Sequence, residues 1–302
     1  MTLRSRRIAV LAERGLAPAG ALRFPYSRLM TATMVREALA EDVAENDITA
    51  IATILSDRRA RCSIIARQSG VIAGIALGRE AFRQRDSKAS VRASVKDGQY
   101  VVAGTPVMFI TGHARGLLSA ERVALNYMQR LSGVATLTAE FVKAVNGTGV
   151  RILDTRKTTP GWRRLEKFAV RAGGGMNHRM DLASAILIKD NHLAALGGDV
   201  GLAVKRAREI APKNTPVEIE CDRVEQVGRA VEAGADVIML DNMSNADLRE
   251  SVGLIDGRAV TEASGGVNLQ TVRAIAETGV DWISVGALTH SAKAMDLALD
   301  FQ

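Results

Sequence analysis

The chain is poor in cysteine, has no long apolar run and lacks a dinucleotide loop, and each absence removes a class of protein. Only two cysteines, Cys62 and Cys221, occur in 302 residues. Both lie in apolar, strand-like segments and read as buried thiols of a reducing compartment, so neither a disulfide framework nor a cysteine zinc site is expected. No apolar run approaches the roughly 20 residues that a membrane helix needs. The run Ile8–Ala12 ends at Glu13-Arg14 and is too short for a secretory signal. No G-x-G-x-x-G follows a first strand, which leaves the dinucleotide fingerprint out. His178 and His192 are not spaced as a metal pair, and their imidazoles read as hydrogen-bond donors to an anion.

Charge of one sign is also scarcer than the total suggests. The formal net charge is +7, but Arg4, Arg6, Arg7, Arg14, Arg23 and Arg28 face only Glu13 within residues 1–30, which hold +5 of it. The remainder is close to balanced, so a basic face for nucleic acid has little to rest on. An Arg-rich, acid-poor leader has the composition of an organellar transit peptide; the plainer expectation is a frayed or loosely docked segment on a cytoplasmic protein. With 47% hydrophobic and 24% charged residues the composition is that of a globular chain. Its length suffices for two domains, or for one barrel with an added module.

The rhythm of the chain changes near residue 150. Before it, a helix at Thr33–Asp42 is followed by β-type stretches at Cys62–Ala66, Val71–Ala76, Val91–Val95 and Pro106–Thr111, then by a helix at Leu117–Val145 softened at Ser132-Gly133. This predicts a compact α+β module over residues 31–146, with helices against one sheet. Residues 147–302 alternate strand and helix instead. Apolar runs at Arg151–Asp154, Ala185–Lys189, Val217–Glu220, Asp236–Leu240, Ala259–Glu262 and Trp282–Val285 are separated by amphipathic helices, the last expected at Ala292–Leu299. Six βα units predict a TIM-like α/β barrel left incomplete and open, with an open doubly wound sheet as the alternative.

Nearly every expected strand ends in functional groups: Asp154–Lys157, Lys189–His192, Glu220–Asp222, Asp241-Asn242, Glu262–Gly266, and Gly286 with His290. Polar turns are common, but six such clusters in register place one site at the carboxyl ends of the strands. Cations beside glycines suit several anionic groups of one ligand. Glu220 and Asp241, ending adjacent strands, suit a Mg²⁺ bridged to substrate oxygens, a cationic sugar transition state, or plain ion pairs with Lys or Arg. Ser264-Gly265-Gly266 before a helix lets backbone N–H groups approach a phosphate, with Gly286 completing the cradle. His290 reads either as a phosphate contact or as a helix cap, and Arg122 alone reads as a surface arginine.

Asp154-Thr155-Arg156-Lys157-Thr158-Thr159-Pro160-Gly161, Gly173-Gly174-Gly175-x-Asn177-His178-Arg179, Lys189-Asp190-Asn191-His192, Leu240-Asp241-Asn242 and Ser264-Gly265-Gly266 together resemble the carboxylating nicotinate-nucleotide pyrophosphorylases, or quinolinate phosphoribosyltransferases, over roughly residues 30 to 300. The resemblance implies an amino-terminal α/β sandwich plus an open α/β barrel. It implies transfer of phosphoribosyl from 5-phosphoribosyl-1-pyrophosphate (PRPP) to quinolinate with loss of CO₂, in NAD biosynthesis. It casts Arg156, His178, Arg179 and Lys189 as ligands of the quinolinate carboxylates, Lys157 on the pyrophosphate side, and Glu220 and Asp241 facing the ribose and Mg²⁺. Ser264, Gly265, Gly266, Gly286 and His290 become phosphate contacts. The catalytic set is then Lys157, Lys189, Glu220 and Asp241, with Mg²⁺ arriving with PRPP and no organic cofactor. Arg122 resembles the arginine that enters the partner subunit's pocket, which implies a homodimer or higher oligomer.

Four positions depart from the family pattern: Asn46 and Asp181 where glycine is usual, Trp162 where leucine is usual, and Ser184 in place of a frequent aspartate. Asp181 matters most, because an inward-facing carboxylate beside a dianion site opposes binding. A related pyrophosphorylase with another acceptor, of the kind found in molybdenum-uptake clusters, and a catalytically silent anion-binding homologue are the competing readings.

Overall fold

The computed structural model describes residues 3–13, 16–17 and 20–302, without the side chains of residues 3–6; the basic positions Arg4, Arg6 and Arg14 therefore lie outside the described side chains. Its strands, in chain order, are β1 (Arg59–Ala66), β2 (Gly70–Val71), β3 (Ser90–Ala93), β4 (Tyr100–Val101), β5 (Pro106–His113), β6 (Arg151–Leu153), β7 (Ile186–Ile188), β8 (Val217–Cys221), β9 (Val237–Asp241), β10 (Val260–Ser264), β11 (Trp282–Ser284) and β12 (Leu297–Phe301). Two compact units form. One comprises Leu22–Ala139, Arg164–Gly174 and Ala292–Gln302; the other comprises Met1–Ala21, Glu140–Arg163 and Gly175–Ser291. Two segments beyond residue 146, Arg164–Gly174 and the strand-bearing Ala292–Gln302, group with Leu22–Ala139.

In that unit an antiparallel sheet runs β12-β1-β5-β3. The expected terminal helix at Ala292–Leu299 is instead β12, paired with β1 from Ala66↔Leu297 to Cys62↔Phe301. Its helix-forming residues are overridden because β1 otherwise presents an unpaired edge. The expected strand Val71–Ala76 shrinks to β2 and gives way to a helix at Ile75–Arg85. That helix starts at Gly74 (φ +96°) and is capped from afar: Asp97 Oδ1 accepts the N–H groups of Gly74 (2.8 Å) and Ile75 (3.1 Å).

The long helix Ala114–Ala144 is unbroken. It buries Leu117, Ala120, Ala124, Met128, Leu131 and Ala135 at helical spacing. Ser132-Gly133 is no break but a place of close approach. Ser132 Oγ accepts the Ala73 N–H at 2.9 Å, and a Cβ on residue 133 would stand 2.0 Å from the Lys293 carbonyl oxygen. Only glycine admits that crossing.

The second unit is a parallel sheet in the order β6-β11-β10-β9-β8-β7, with helices between successive strands and no pairing between β6 and β7. It is an open α/β barrel. The β6 edge is partly covered by Met176, whose N–H reaches the Ile152 oxygen (2.8 Å) and whose oxygen accepts from Asp154 (3.1 Å). That short pairing leads the chain directly into Asn177-His178-Arg179.

The described part of the basic leader is docked on the barrel at Leu11, Leu16 and Ala17. Leu11 and Leu16 are 2% and 1% exposed and share a buried cluster with Val237, Val260 and Trp282, the first residues of β9, β10 and β11. The Ala17 N–H also donates to the Asn177 oxygen at 3.0 Å. Burying each leucine contributes about 1.5–3 kcal/mol, which composition alone could not reveal.

Candidate active site

Around the sheet, in spatial order, the strand ends deliver Lys157 (after β6), Gly286 and His290 (β11), Ser264–Gly266 (β10), Asp241 (β9), Glu220 (β8) and Lys189 (β7). All are in one unit, and the register Ser264↔Asp241 sets two of them side by side. At one corner, a Cβ on Gly286 would stand 3.0 Å from Lys157 Cδ and 3.2 Å from His290 Nε2, so the missing side chain makes room for both. The Thr289 hydroxyl donates to the Lys157 carbonyl (2.6 Å) and fixes that loop, while Ser291 Oγ lies 2.7 Å from His290 Nδ1.

The next corner is built by glycine. Gly265 has φ +91°, and a Cβ there would fall 2.1 Å from Asn242 Oδ1. Asn242 itself takes φ +56°, donates its N–H to the Ser264 oxygen (2.9 Å) and its Nδ2 to Asp241 Oδ2 (2.7 Å). It therefore holds the Asp241 carboxylate against the glycine turn. Opposite, Lys189 Nζ pairs with Glu220 Oε2, and the Lys189 N–H donates to His192 Nδ1 at 2.9 Å. Glu220 is thus in a lysine ion pair, whereas Asp241 is held by an amide.

The cations are crowded. Arg179 is 6% exposed and donates to the Ala185 oxygen at 2.9 Å. Burial, and then the neighbouring Arg156 guanidinium, lower its pKa. Arg156 Nε is buried without a hydrogen-bond partner. The two guanidiniums repel each other, and an anion bound to both would offset that repulsion. Their backbone is braced by Asp154, fully buried, which accepts from Asn177 Nδ2 (2.6 Å) and from the His178 N–H (2.9 Å).

His178 departs from the expectation of an anion donor. Its ring lies in the barrel interior, with Nε2 3.0 Å from Glu218 and 3.5 Å from Glu262. Burial opposes a charged ring while Glu218 and Glu262 favour it and shift its pKa upward, but the Arg179 N–H donating to Nδ1 at 2.8 Å keeps a second proton off that nitrogen. Burial likewise raises Glu218. Glu218 was not anticipated and Glu262 only as the start of the Glu262–Gly266 strand end, yet period two gives both away: they share a strand face with Glu220 on β8 and with Ser264 on β10. Asn242 was marked only by its place beside Asp241, since its bracing role depends on a left-handed backbone.

Arg122 lies exposed on the long helix of the other unit. Asp181 is exposed, and its Oδ1 accepts the N–H groups of Ala183 (3.0 Å) and Ser184 (2.9 Å), which hold its pKa down. Asp181 and Ser184 therefore satisfy each other in a turn, with no positive φ at residue 181.

An open α/β barrel whose strand ends carry cations, glycine turns and two carboxylates defines an enzyme of polyanionic ligands. Residues 47–132 match the family described as quinolinate phosphoribosyl transferase, N-terminal domain, and residues 134–300 match its C-terminal domain. A probable nicotinate-nucleotide pyrophosphorylase [carboxylating] of Bacillus subtilis (strain 168) is 44% identical over 260 residues, covering 86% of this chain and 89% of that protein. The quinolinate phosphoribosyltransferase [decarboxylating] 2, mitochondrial, of Nicotiana glauca is 44% identical over 281 residues, covering 87% and 79%. Among solved structures, NadC from Streptococcus pyogenes superposes with a TM-score of 0.87 at 39% identity, covering 92% of this chain and 99% of that one. The chain belongs to the quinolinate phosphoribosyltransferase family. No helix among the described residues is long and apolar enough to cross a membrane.

Proposed function

We infer that the protein transfers phosphoribosyl from PRPP to quinolinate with decarboxylation, giving nicotinate mononucleotide, pyrophosphate and CO₂ in the de novo route to NAD. The observation that carries this reading is the crowding of Arg156 against the buried Arg179. A ligand with two adjacent carboxylates offsets that repulsion and is itself gripped by two planar guanidiniums. Lys189, on Glu220 in the free protein, is the third cation for that ligand.

Lys157, His290, Gly286 and the Ser264–Gly266 turn suit the phosphate and pyrophosphate groups, because the glycines leave backbone N–H groups open to oxygen. The pyridine nitrogen forms a bond to the ribose anomeric carbon while the bond from that carbon to pyrophosphate breaks. Positive charge grows on the sugar, and Glu220 and Asp241 face it. As CO₂ departs, its electron pair stays on the adjacent ring carbon, stabilised by the positive charge of the alkylated nitrogen, until a proton takes its place there. The protein positions, neutralises and excludes water.

Glu220 and Asp241 fit a Mg²⁺ held jointly with PRPP: two carboxylates at neighbouring strand ends with the remaining ligands from substrate oxygens suit that hard cation. Bound there, the ion would neutralise leaving pyrophosphate. The site calls for no organic cofactor. A homodimer in which Arg122 enters the partner's site is part of this reading, and the free, buried Cys62 and Cys221 agree with a cytoplasmic setting.

The test is CO₂ release by the purified protein with quinolinate, PRPP and Mg²⁺, with nicotinate as parallel acceptor. Release that needs all three components is expected. Turnover with nicotinate instead would reassign the acceptor, and binding of both substrates without turnover would make the chain a silent homologue.

A further inference from the structure

Beneath the rim lies a buried polar layer that the reaction does not use directly: His178, Glu218 and Glu262, with exposures of 6%, 0% and 0%. Each is one or two residues from a rim group, namely Arg179, Glu220 and Ser264. We propose that Glu218 and Glu262 are positioning residues which, acting through His178, set Arg179 in the dicarboxylate subsite. The proposal rests on the reading of Arg156 and Arg179 as carboxylate ligands.

The hydrogen bonds define how this works. The Arg179 N–H donates to His178 Nδ1 at 2.8 Å, so that nitrogen presents a lone pair and the ring proton resides on Nε2. Nε2 faces Glu218 Oε2 at 3.0 Å and Glu262 Oε2 at 3.5 Å, charge–dipole contacts at ion-pair distance that hold the ring's proton-bearing edge toward the two carboxylates. Glu262 is in turn fixed through its other oxygen by the Ser284 hydroxyl on β11. Contacts from β11 by way of Glu262 on β10, and from Glu218 on β8, therefore converge on the His178 ring and through it reach the backbone nitrogen of Arg179. The guanidinium end is pinned separately at the Ala185 carbonyl. With both ends fixed, Arg179 cannot swing off the subsite, even though Arg156 repels it.

The same three groups have the spacing of cation ligands, all within 4.8 Å of one another. The tautomer argues against that use: an Nε2 that carries a proton has no lone pair to give a metal. A purely structural role would be served as well by apolar residues, since buried ionic groups are often replaced by hydrophobes without loss of stability. The cluster's cost is repaid only if the ring orientation matters to its neighbour.

Steady-state kinetics on Glu218→Leu and Glu218→Gln separate the possibilities. Leucine offers Nε2 no oxygen, so KM for quinolinate should rise about tenfold or more, with KM for PRPP within about twofold of wild type, the scale set by small misplacements in active sites. The glutamine amide oxygen still faces Nε2, so Glu218→Gln should restore most of the quinolinate affinity. Ser284→Ala, a milder change that keeps the fold if the leucine variant does not, should shift the same constant in the same direction. Adding Glu218→Leu to Arg179→Ala should change little further. If Arg179→Ala leaves KM for quinolinate unaltered, the subsite reading itself fails. If Arg179→Ala raises it while Glu218→Leu and Ser284→Ala do not, or if both substrates' constants move equally, the subsite stands and the positioning role is overturned.

Discussion

In the barrel unit, five buried polar side chains (Asp154, His178, Glu218, Glu220 and Glu262) sit within two residues of a rim group or on the rim itself, while the Asp281–Thr261 pair at the amino ends of β11 and β10 only ties strands together. In the sheet unit such side chains serve the unit's own closure. Ser132 accepts from Ala73, Asp86 accepts the His113 N–H at 2.7 Å, and the fully buried Glu166 pairs with Arg130 at 2.7 Å. Similar residue types are thus buried for different ends, and burial alone does not reveal which. Proximity along the strand to an exposed cation or a glycine turn does. Substitutions in the first set should show in kinetics, those in the second in melting curves.

The largest expected effect lies on the rim. Lys189→Ala should lower turnover about hundred- to thousandfold, the usual loss for one electrostatic group in an active site, with an unchanged melting curve. A parallel fall in melting temperature would blur the division between the units. Arg122 is the position that would break it outright, because it belongs to the sheet unit yet is proposed to act at a partner's site. Arg122→Ala and Lys157→Ala chains should each be nearly inactive and recover activity when mixed and allowed to exchange subunits; no recovery in verified mixed dimers would refute a shared site. The smallest effect is structural. Gly133→Ala should cost about 1–3 kcal/mol of stability by overpacking against the Lys293 carbonyl, read by denaturant titration, while kcat of the folded fraction stays the same.

The parallel half of the molecule is easy to read from sequence because its signals are local. Each strand is a short apolar run and each helix follows at once; the helix expected at Val200–Ile210 is found with those bounds. The clustering of Lys157, Gly286 and His290 is likewise legible, since a parallel sheet brings its carboxyl ends to one edge. The sheet unit hides its rules at a distance. The helix Ile75–Arg85 depends on Asp97 for its cap, and β12 depends on the free edge of β1. Neither partner is visible in a local window. His178 is the instructive residue within the site: its neighbours in sequence place it among anion ligands, while the pleat of β8 and β10 brings carboxylates around it.

The pairing of β12 with β1 also orders events during synthesis. Every strand of the barrel has left the ribosome once Ser284 emerges, and the leader's seat against Val237, Val260 and Trp282 exists from then on. The sheet begun at Arg59 must still wait for Leu297–Phe301, the chain's last strand, to close its open side. A premature stop just after His290 would leave every rim group encoded and the chemistry nominally intact. It would also leave β1 as a bare edge, ready to recruit strands from other chains. Such a product would be lost to aggregation rather than to any defect in catalysis.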